Sequence, residues 1–227
     1  MKSLSEFNSE ISFAYDFQES RLKKCIKIIS DIPAGTMLDI GCTHGDWGLF
    51  WKNQGWKVFG VDVNSQNVQA SKNAGLDATV CDCNAEKLPF ADQSFDFIFA
   101  GEVIEHLIDT DGFIKDIYRC LIPGGKAIIT TPNLASFENR MRLLFGIYPI
   151  WVDYSLNGSG HVRAYTPRVL KKQLNQNGFK VKKLLGNWVP FIPQKYANDV
   201  RYPWISNTGD IFPSLSMDII VLVEKPN

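Results

Sequence analysis

A nine-residue stretch, Met37-Leu-Asp-Ile-Gly-Cys-Thr-His-Gly45, constrains the fold more than any other part of this 227-residue chain. Leu38 and Ile40 bracket Asp39, the pattern of a short buried strand. Gly41 and Gly45 open a turn beyond it, and Asp46-Trp-Gly-Leu-Phe-Trp-Lys-Asn-Gln54 then reads as a helix. Val58-Phe-Gly-Val61 is a second apolar strand that ends on Asp62. A strand, a glycine turn, a helix, a strand and an acid about twenty residues on describe a nucleoside-binding βαβ unit. Glycines let the backbone approach a ligand closely. A carboxylate can accept both hydrogen bonds of a ribose diol.

The kind of nucleoside follows from what the turn lacks. Dinucleotide folds seat a pyrophosphate on the helix N-terminus through Gly-x-Gly-x-x-Gly. The matching positions here are Gly41, Thr43 and Asp46. Only the first is glycine, and the last places an anion where the phosphates would lie. Asp46 suits the helix dipole but repels a pyrophosphate. A cationic ligand without phosphates, such as S-adenosylmethionine, fits better.

Further segments follow in order: Asp82-Cys-Asn-Ala-Glu-Lys-Leu-Pro-Phe90, Ser94-Phe-Asp-Phe-Ile-Phe-Ala-Gly-Glu-Val-Ile-Glu-His-Leu107 and Leu121-Ile-Pro-Gly-Gly-Lys126. Together with the glycine turn, the chain from Met37 to Asn133 resembles the Rossmann-like S-adenosylmethionine-dependent methyltransferases. Thr130-Thr-Pro-Asn133, His161-Val-Arg-Ala-Tyr-Thr-Pro167 and Asn177-Gly-Phe179 resemble the broad branch that includes the quinone-biosynthesis methyltransferases. Thr43 departs from the family pattern, which has glycine at that position. The resemblance implies an α/β fold over one domain, 1–227, with a seven-stranded, mostly parallel sheet flanked by helices and an antiparallel last strand. It also implies roles for the strand ends. Gly41 and Gly45 admit the methionine and ribose portions, and Asp39 supports the ammonium. Asp62 and the adjoining Val63 meet the ribose, Asp82 and the Cys83 backbone meet the adenine edge with Asn84 as a rival, and Glu102 lies beside the sulfonium.

Composition points to a cytoplasmic protein. The 24 basic and 24 acidic residues balance, so no global field draws the chain to nucleic acid or anionic lipid. No apolar run approaches the length of a membrane span, and the opening Met-Lys-Ser-Leu-Ser-Glu is polar. Five cysteines give no disulfide framework. Cys81 and Cys83 lack the second pair that a structural zinc needs, and Cys25, Cys42 and Cys120 sit in apolar patterns that read as core.

Periodicity predicts the remaining elements. Helices are expected over 21–30, 64–73 with Asn64 or Ser65 as cap, 113–121, and 167–177 with Thr166 as cap. Strands are expected over 78–81, 95–99, 126–130, 179–181 and 216–223, with a turn at Pro123-Gly-Gly125. Two aromatic-rich connections fall outside this core, 134–165 and 187–213, and both are longer than compact domains ordinarily use. They read as cap or acceptor-binding insertions, with Trp151, Tyr154, Trp188 and Trp204 lining or gating a pocket. The acceptor expected from this is a small, lipid- or sugar-linked molecule attacked through oxygen.

The chemistry turns on Glu102-Val-Ile-Glu105-His106. In a helix, positions 102, 105 and 106 share one face. Two carboxylates and an imidazole could bind a divalent metal or act as acid and base. Glu102, His106 and His161 are the candidate catalytic residues, and Glu102, Glu105, His106 and His161 form the candidate metal set. The metal set resembles that of quinone-biosynthesis O-methyltransferases and of enzymes that methylate the terminal ribose of small RNAs. A structural role for His106 is the alternative, and His44 reads as a local hydrogen-bonding residue of the turn. Two other functions stay open, a metal-assisted RNA-end methyltransferase and a non-catalytic cofactor-binding regulator. Charge balance opposes the first, and the intact glycines and acids argue against decay of the cofactor site while leaving loss of the acceptor site open.

Overall fold

A computed structural model describes residues 16–155, 158–191, 193–199 and 201–227. Seven strands form one sheet: β1 (Thr36–Ile40), β2 (Lys57–Asp62), β3 (Asp77–Val80), β4 (Phe95–Gly101), β5 (Leu121–Pro132), β6 (Lys180–Gly186) and β7 (Asp218–Glu224). Their order is β3-β2-β1-β4-β5-β7-β6. β7 runs antiparallel between β5 and β6, and the pairs β1–β2, β2–β3, β1–β4 and β4–β5 are parallel. The strand order therefore reverses between β1 and β4. In open sheets of this kind, the crevice for a ligand lies outside the carboxyl ends of the strands at that reversal.

Helices cover both faces. α1 (Ser20–Ser30), α2 (Asp46–Lys52) and α3 (Ser65–Asn73) pack with Met37, Phe97, Phe99 and Ile128. α4 (Thr110–Cys120) and α6 (Pro167–Gln176) pack on the opposite face with Leu38, Ile40, Ile98 and Ile129. Alternation along β1 and β4 sends successive side chains to opposite faces, so both faces must be apolar. Trp47 of α2 lies with its ring centroid 4.5 Å from that of Phe99 and is fully buried. Truncating either ring to alanine costs about 3–5 kcal/mol of stability. Asn64 caps α3 by accepting from the Gln66 and Asn67 amides, and Thr166 caps α6 through Val169 N.

Several boundaries differ from the sequence expectation. β3 begins and ends one residue earlier, and α4 starts at Thr110 because Asp109 caps it through Gly112 N. Pro123-Gly-Gly125 does not end a separate element. Phe95 pairs with Leu121 and Phe97 with Lys126, so these residues bulge out of a longer β5. β6 extends to Gly186 because pairing with β7 stabilises a stretch that reads as polar, with Lys180, Lys182 and Lys183 on it.

The two long connections carry structure of their own: α5 (Phe137–Leu144) in the first, α7 (Gln194–Ala197) and α8 (Pro203–Ile211) in the second. Asn133 joins their roots. Its side-chain amide donates to Ser216 O at 2.8 Å, its amide nitrogen donates to Met217 O at 2.8 Å, and it bridges to Tyr165. α1 holds the second connection through Lys24, which donates to Gly186 O, Ser206 O and Asp210.

Candidate active site at the carboxyl ends of the strands

The glycine turn leaves β1 with Gly41 at φ 77° and enters α2 with Gly45 at φ 91°. A Cβ on Gly41 would fall 2.9 Å from Val103 Cγ2, and one on Gly45 would fall 3.2 Å from Ser71 Oγ. Both positions therefore require glycine on two counts, conformation and space. Thr43 adopts φ 46° between them, and its buried hydroxyl has no hydrogen-bond partner. Its backbone is tied on both sides: Thr43 N donates to Asp62 Oδ2 at 2.9 Å, and Thr43 O accepts from Ser71 Oγ at 2.7 Å. That clamp holds a β-branched residue in a conformation it disfavours.

Asp62 stands at the end of β2, buried, and its Oδ1 also accepts from Asn64 N at 2.8 Å and Asn67 Nδ2 at 3.3 Å. A carboxylate offers about four acceptor sites. Three are engaged here, and this acid welds the glycine turn to the β2–α3 turn. Val63 follows it, half-buried. Asp39 lies fully buried near the end of β1. Burial pushes its carboxyl well above the usual range, and the nearby Asp62 charge adds to this. Asp82 Oδ1 accepts from Asn84 N at 2.9 Å, with Cys83 half-buried beside it. The Asn84 side chain reaches the β4 exit, where it accepts from Ile108 N at 2.8 Å and donates to His106 O.

The Glu102–His106 segment departs from its helical expectation. Glu102 has φ 56°, and its amide still pairs with Thr130 O across the sheet at 3.2 Å. Only a three-residue 3₁₀ turn, Ile104–His106, follows. A residue in the left-handed region cannot begin a right-handed helix, so Glu102 does not share a helical face with Glu105 and His106. Its Oε1 accepts from Thr130 Oγ1 at 2.8 Å and lies 3.8 Å from Arg21 Nη1. Arg21 is a residue that the sequence reading missed. It is buried, held by Glu19 at 2.9 and 3.0 Å, and donates to Thr130 Oγ1 at 3.1 Å. The available signal was a cation on the buried stripe of α1, one turn before Cys25.

The four-residue metal set reduces to three. Glu105, His106 and His161 each offer a ligand atom, all within 4.8 Å of one another, and Glu102 is not among them. Glu105 is buried, and no donor meets either carboxylate oxygen in full hydrogen-bond geometry, although the Thr131 hydroxyl lies close enough to favour the charged form. Burial raises its carboxyl well above the usual range, and Glu102 contributes. His161 reaches this acid because its own loop docks on it: Val162 N and Arg163 N donate to Glu105 O at 2.9 and 3.0 Å. Asp153 fixes the same loop by accepting from His161 N and Ser159 Oγ.

Both imidazoles are anchored through Nδ1, His106 to Gly160 O at 3.2 Å and His161 to Trp151 O at 3.0 Å. A carbonyl accepts only from an N–H, so each ring carries its proton on Nδ1 and presents Nε2 as an acceptor. Burial lowers the His106 pKa to about 4, with His161 as the second cause. His106 is thus a neutral imidazole near pH 7 and a weak base. Trp151, at φ 61°, completes a pattern: three of the four described non-glycine residues with positive φ, Thr43, Glu102 and Trp151, belong to this region.

A small pocket opens beside Glu105 and His161, walled by Pro132, Leu134, Ile150 and Trp151. Of the four aromatics expected to form a lid, only Trp151 lines it. Trp188 is instead buried with Ala197, Ile205 and Met217 in a separate small core, while Tyr154 and Trp204 are exposed. The second connection needs that core to hold its own short helices, and the largest ring supplies it.

A methyltransferase-domain family model matches residues 17–184. The ubiquinone/menaquinone biosynthesis C-methyltransferase of Geotalea daltonii is 31% identical over 152 residues, 61% of this chain and 63% of that protein. The ubiquinone biosynthesis O-methyltransferase of Brucella anthropi is 28% identical over 199 residues, 84% and 73% of the two chains. The chain spans between 26% and 63% of the length of the first curated relatives it matches. Among solved structures, a possible histamine N-methyltransferase from Thermotoga maritima superposes with a TM-score of 0.65 at 20% identity, over 98% of this chain and 91% of that one. The last likeness speaks for the fold alone. From the family match and the sequence relatives together, this chain belongs to the methyltransferase-domain family, in the class I, S-adenosylmethionine-dependent branch that includes the quinone-biosynthesis methyltransferases.

Proposed function

We propose that the protein transfers the methyl group of S-adenosylmethionine to an oxygen of a small, lipid- or sugar-linked acceptor held beside Glu105 and His161. The observation that supports this reading is that the glycine turn locked by Asp62 and the pocket lined by Glu105 and His161 follow the carboxyl ends of neighbouring strands, β1 and β2 for the first and β4 and β5 for the second. Gly41 and Gly45 leave room for the cofactor's backbone. Asp62 and Val63 meet its ribose, and Asp82 with Cys83 its adenine edge. Asp39 supports the turn from behind. At the β4 exit, Glu102 suits the cofactor's ammonium and Arg21 its carboxylate, since opposite charges then pair on each end.

The cofactor supplies a methyl group already activated on a sulfonium, so the chain's own task is alignment and proton removal. The acceptor oxygen forms its bond to the methyl carbon as the carbon–sulfur pair returns to sulfur, and the hydroxyl proton passes to a base. His161 lines the pocket with its Nδ1 engaged by Trp151 O, which leaves Nε2 as the candidate for that role. His106, with its pKa lowered to about 4, serves to position His161. The insertions 134–165 and 187–213 form the acceptor-binding cap of a single domain, 1–227. A cytoplasmic setting suits the five free cysteines. Among the described residues, no helix is long and apolar enough to cross a membrane.

A second reading of the same residues is a divalent-metal site. Glu105, His106 and His161 fit one, because no donor meets the carboxylate in full hydrogen-bond geometry and each imidazole is anchored at Nδ1, which leaves Nε2 as its ligand atom. A bound cation would lower the pKa of the acceptor hydroxyl. Chelator separates the readings. A metal site loses turnover and regains it with Mn²⁺ or Zn²⁺, whereas a direct base ignores chelator. Formation of S-adenosylhomocysteine with hydroxylated acceptors tests the enzyme itself. Cofactor binding without turnover would indicate a regulator, and salt-dependent RNA affinity would favour the RNA-end reading.

A further inference from the structure

The chain is neutral as a whole but not along its length. Residues 154–198 contain eight lysines and arginines and not one aspartate or glutamate. The remainder, which carries all 24 acidic residues, is net negative. α6 stands inside the basic stretch. Arg168, Lys171 and Lys172 are exposed on it, and none of them pairs with a carboxylate among the described residues. At about 100° per residue, these three with Val169, Asn175 and Gln176 fall within one arc of about 160°, opposite the buried Leu170 and Leu174. The three cations, Asn175 and Gln176 line a shallow depression. From this we infer that the outer face of α6 docks an acidic amphipathic helix of a partner protein, and that this partner presents the acceptor to the pocket.

The row selects its occupant by what lies in it. Val169, 53% exposed, borders the cations. A helix with an apolar residue beside its acids covers that valine, whereas a phosphate backbone leaves it in water. A single nucleic-acid strand needs exposed rings to stack on, and the aromatic of 166–186, Phe179, is buried. A flat anionic membrane fits the shape poorly. β6 is the edge strand, and its Lys183 pairs with Leu222, which belongs to the core on the α1 side, while Val181 and Leu184 pack on the α6 side. Lys183 therefore lies on the other sheet face from α6, and one plane does not meet both. A second copy offers no complement, because among the described residues no helix of this chain exposes two acids. Asp111 flanks α6 but is held by Gln173 and Asn177.

The row begins at the acceptor pocket. Arg163 and Ala164 line that pocket, Tyr165 bridges to Asn133, and α6 starts two residues later. A partner helix laid along α6 thus ends beside the opening, where a group carried on its arm reaches Glu105 and His161. This delivery rests on the acceptor reading above. The docking itself does not.

Fluorescence anisotropy of a labelled peptide with the full-length protein tests the docking, and neither cofactor nor acceptor is needed. The probe is a helical peptide of about eighteen residues with glutamates at i, i+3 and i+4 spacing beside one leucine. The wild type is expected to bind it, and to lose about tenfold or more in affinity between about 0.05 and 0.5 M salt. The triple substitution Arg168→Glu/Lys171→Glu/Lys172→Glu should weaken binding by about 100-fold. Its melting temperature and S-adenosylmethionine affinity should be unchanged, because all three side chains are exposed. Val169→Ser should cost less, in the same direction. A wild type that leaves the peptide unbound, or a triple variant that binds it equally well, overturns the inference. So does equal binding of a proline-broken peptide of the same charge, or tighter binding of oligouridine or of phosphatidylglycerol vesicles. For delivery, a phenol joined to the peptide should be methylated at a lower KM than free phenol by the wild type, and at an equal KM by the triple variant. An equal KM in the wild type rejects delivery. Peptide binding without methyl transfer to any hydroxylated acceptor rejects the acceptor reading and leaves the docking standing.

Discussion

The two halves of the site are built in opposite ways. On the cofactor side, the key acid, Asp62, is engaged by three donors, all from residues 43–67, and the turn around it is closed by its own backbone. On the acceptor side, the key acid, Glu105, meets His106 beside it in sequence and His161 from a loop more than fifty residues later. One half is a local motif. The other is a tertiary meeting point around a buried carboxyl with a raised pKa, a state that Asp39 shares beside the glycine turn. A buried carboxylate without a well-placed donor is costly, and its retention here points to a proton, a cation or a substrate as its natural partner.

Substitutions can break this contrast or sharpen it. The largest effect is expected for Asp62→Ala, which removes charge-assisted bonds worth about 1.5–3 kcal/mol each from the turn and, on the proposed reading, the contact to the ribose. Calorimetric affinity for S-adenosylmethionine should fall about 100-fold or more. Wild-type affinity in a folded variant would end the idea of a self-contained cofactor half. NAD should bind neither form appreciably, because Asp46 stands where its phosphates would lie.

Glu105→Gln and His161→Ala probe the other half. Each should lower turnover by about 100-fold while cofactor affinity stays the same, as expected for removal of proton-transfer or metal-ligand chemistry. Glu105→Gln should also raise stability near neutral pH by on the order of 1 kcal/mol, since it removes a buried carboxyl whose raised pKa weakens the fold there. Equal losses of cofactor affinity and turnover would instead merge the halves into one unit.

A smaller effect separates the two connections. Trp151→Ala should raise the acceptor KM by about tenfold with little change in melting temperature, because the ring is half exposed and lines the pocket. Trp188→Ala should do the reverse and destabilise the fold, because its ring is buried in a core of its own. If the two variants behave alike, the distinction between lining and core fails.

A last effect is a pH dependence. In the fold the His106 pKa is lowered from 6.5 to about 4, so the unfolded chain binds more protons across that interval. The contribution of this group is present above pH 6.5 and is lost as the pH falls toward 4. Urea midpoints measured across that range should decline less steeply in His106→Gln than in the wild type. The raised carboxyls of Asp39 and Glu105 work in the opposite sense, favouring the fold on acidification. An unchanged slope in the variant would mean that His106 is not held neutral.

How much of this was legible in the sequence follows the same division. Gly41, Gly45 and Asp62 could be found because a tight turn, a close approach and a strand-end acid leave marks within thirty residues. The sheet could be found because β1 and β4 are buried on both faces and read as continuous apolar runs. Glu102 was misread because its left-handed φ comes from pairing with Thr130 across the sheet, which no local pattern encodes. Trp151 and Trp188 could not be told apart, since composition gives an aromatic's affinity for apolar surroundings and not which side of a loop it faces. Arg21 was overlooked because its value depends on Glu102 and Thr130, 81 and 109 residues away in sequence.

Asn133 fastens the return of the first connection at Tyr165 and the exit of the second at Ser216 and Met217 to one point on β5. The glycine turn lies outside both connections, and Asn133 is one of several ties, with Lys24 and the Glu105 carbonyl, that hold the connections to the sheet. On the proposed reading, the cofactor motif and the choice of recipient are coded in different stretches of the chain. A chain built this way can change its clientele by trading loops, and a graft that keeps Asn133 and its partners is the natural unit for exchanging specificity between relatives.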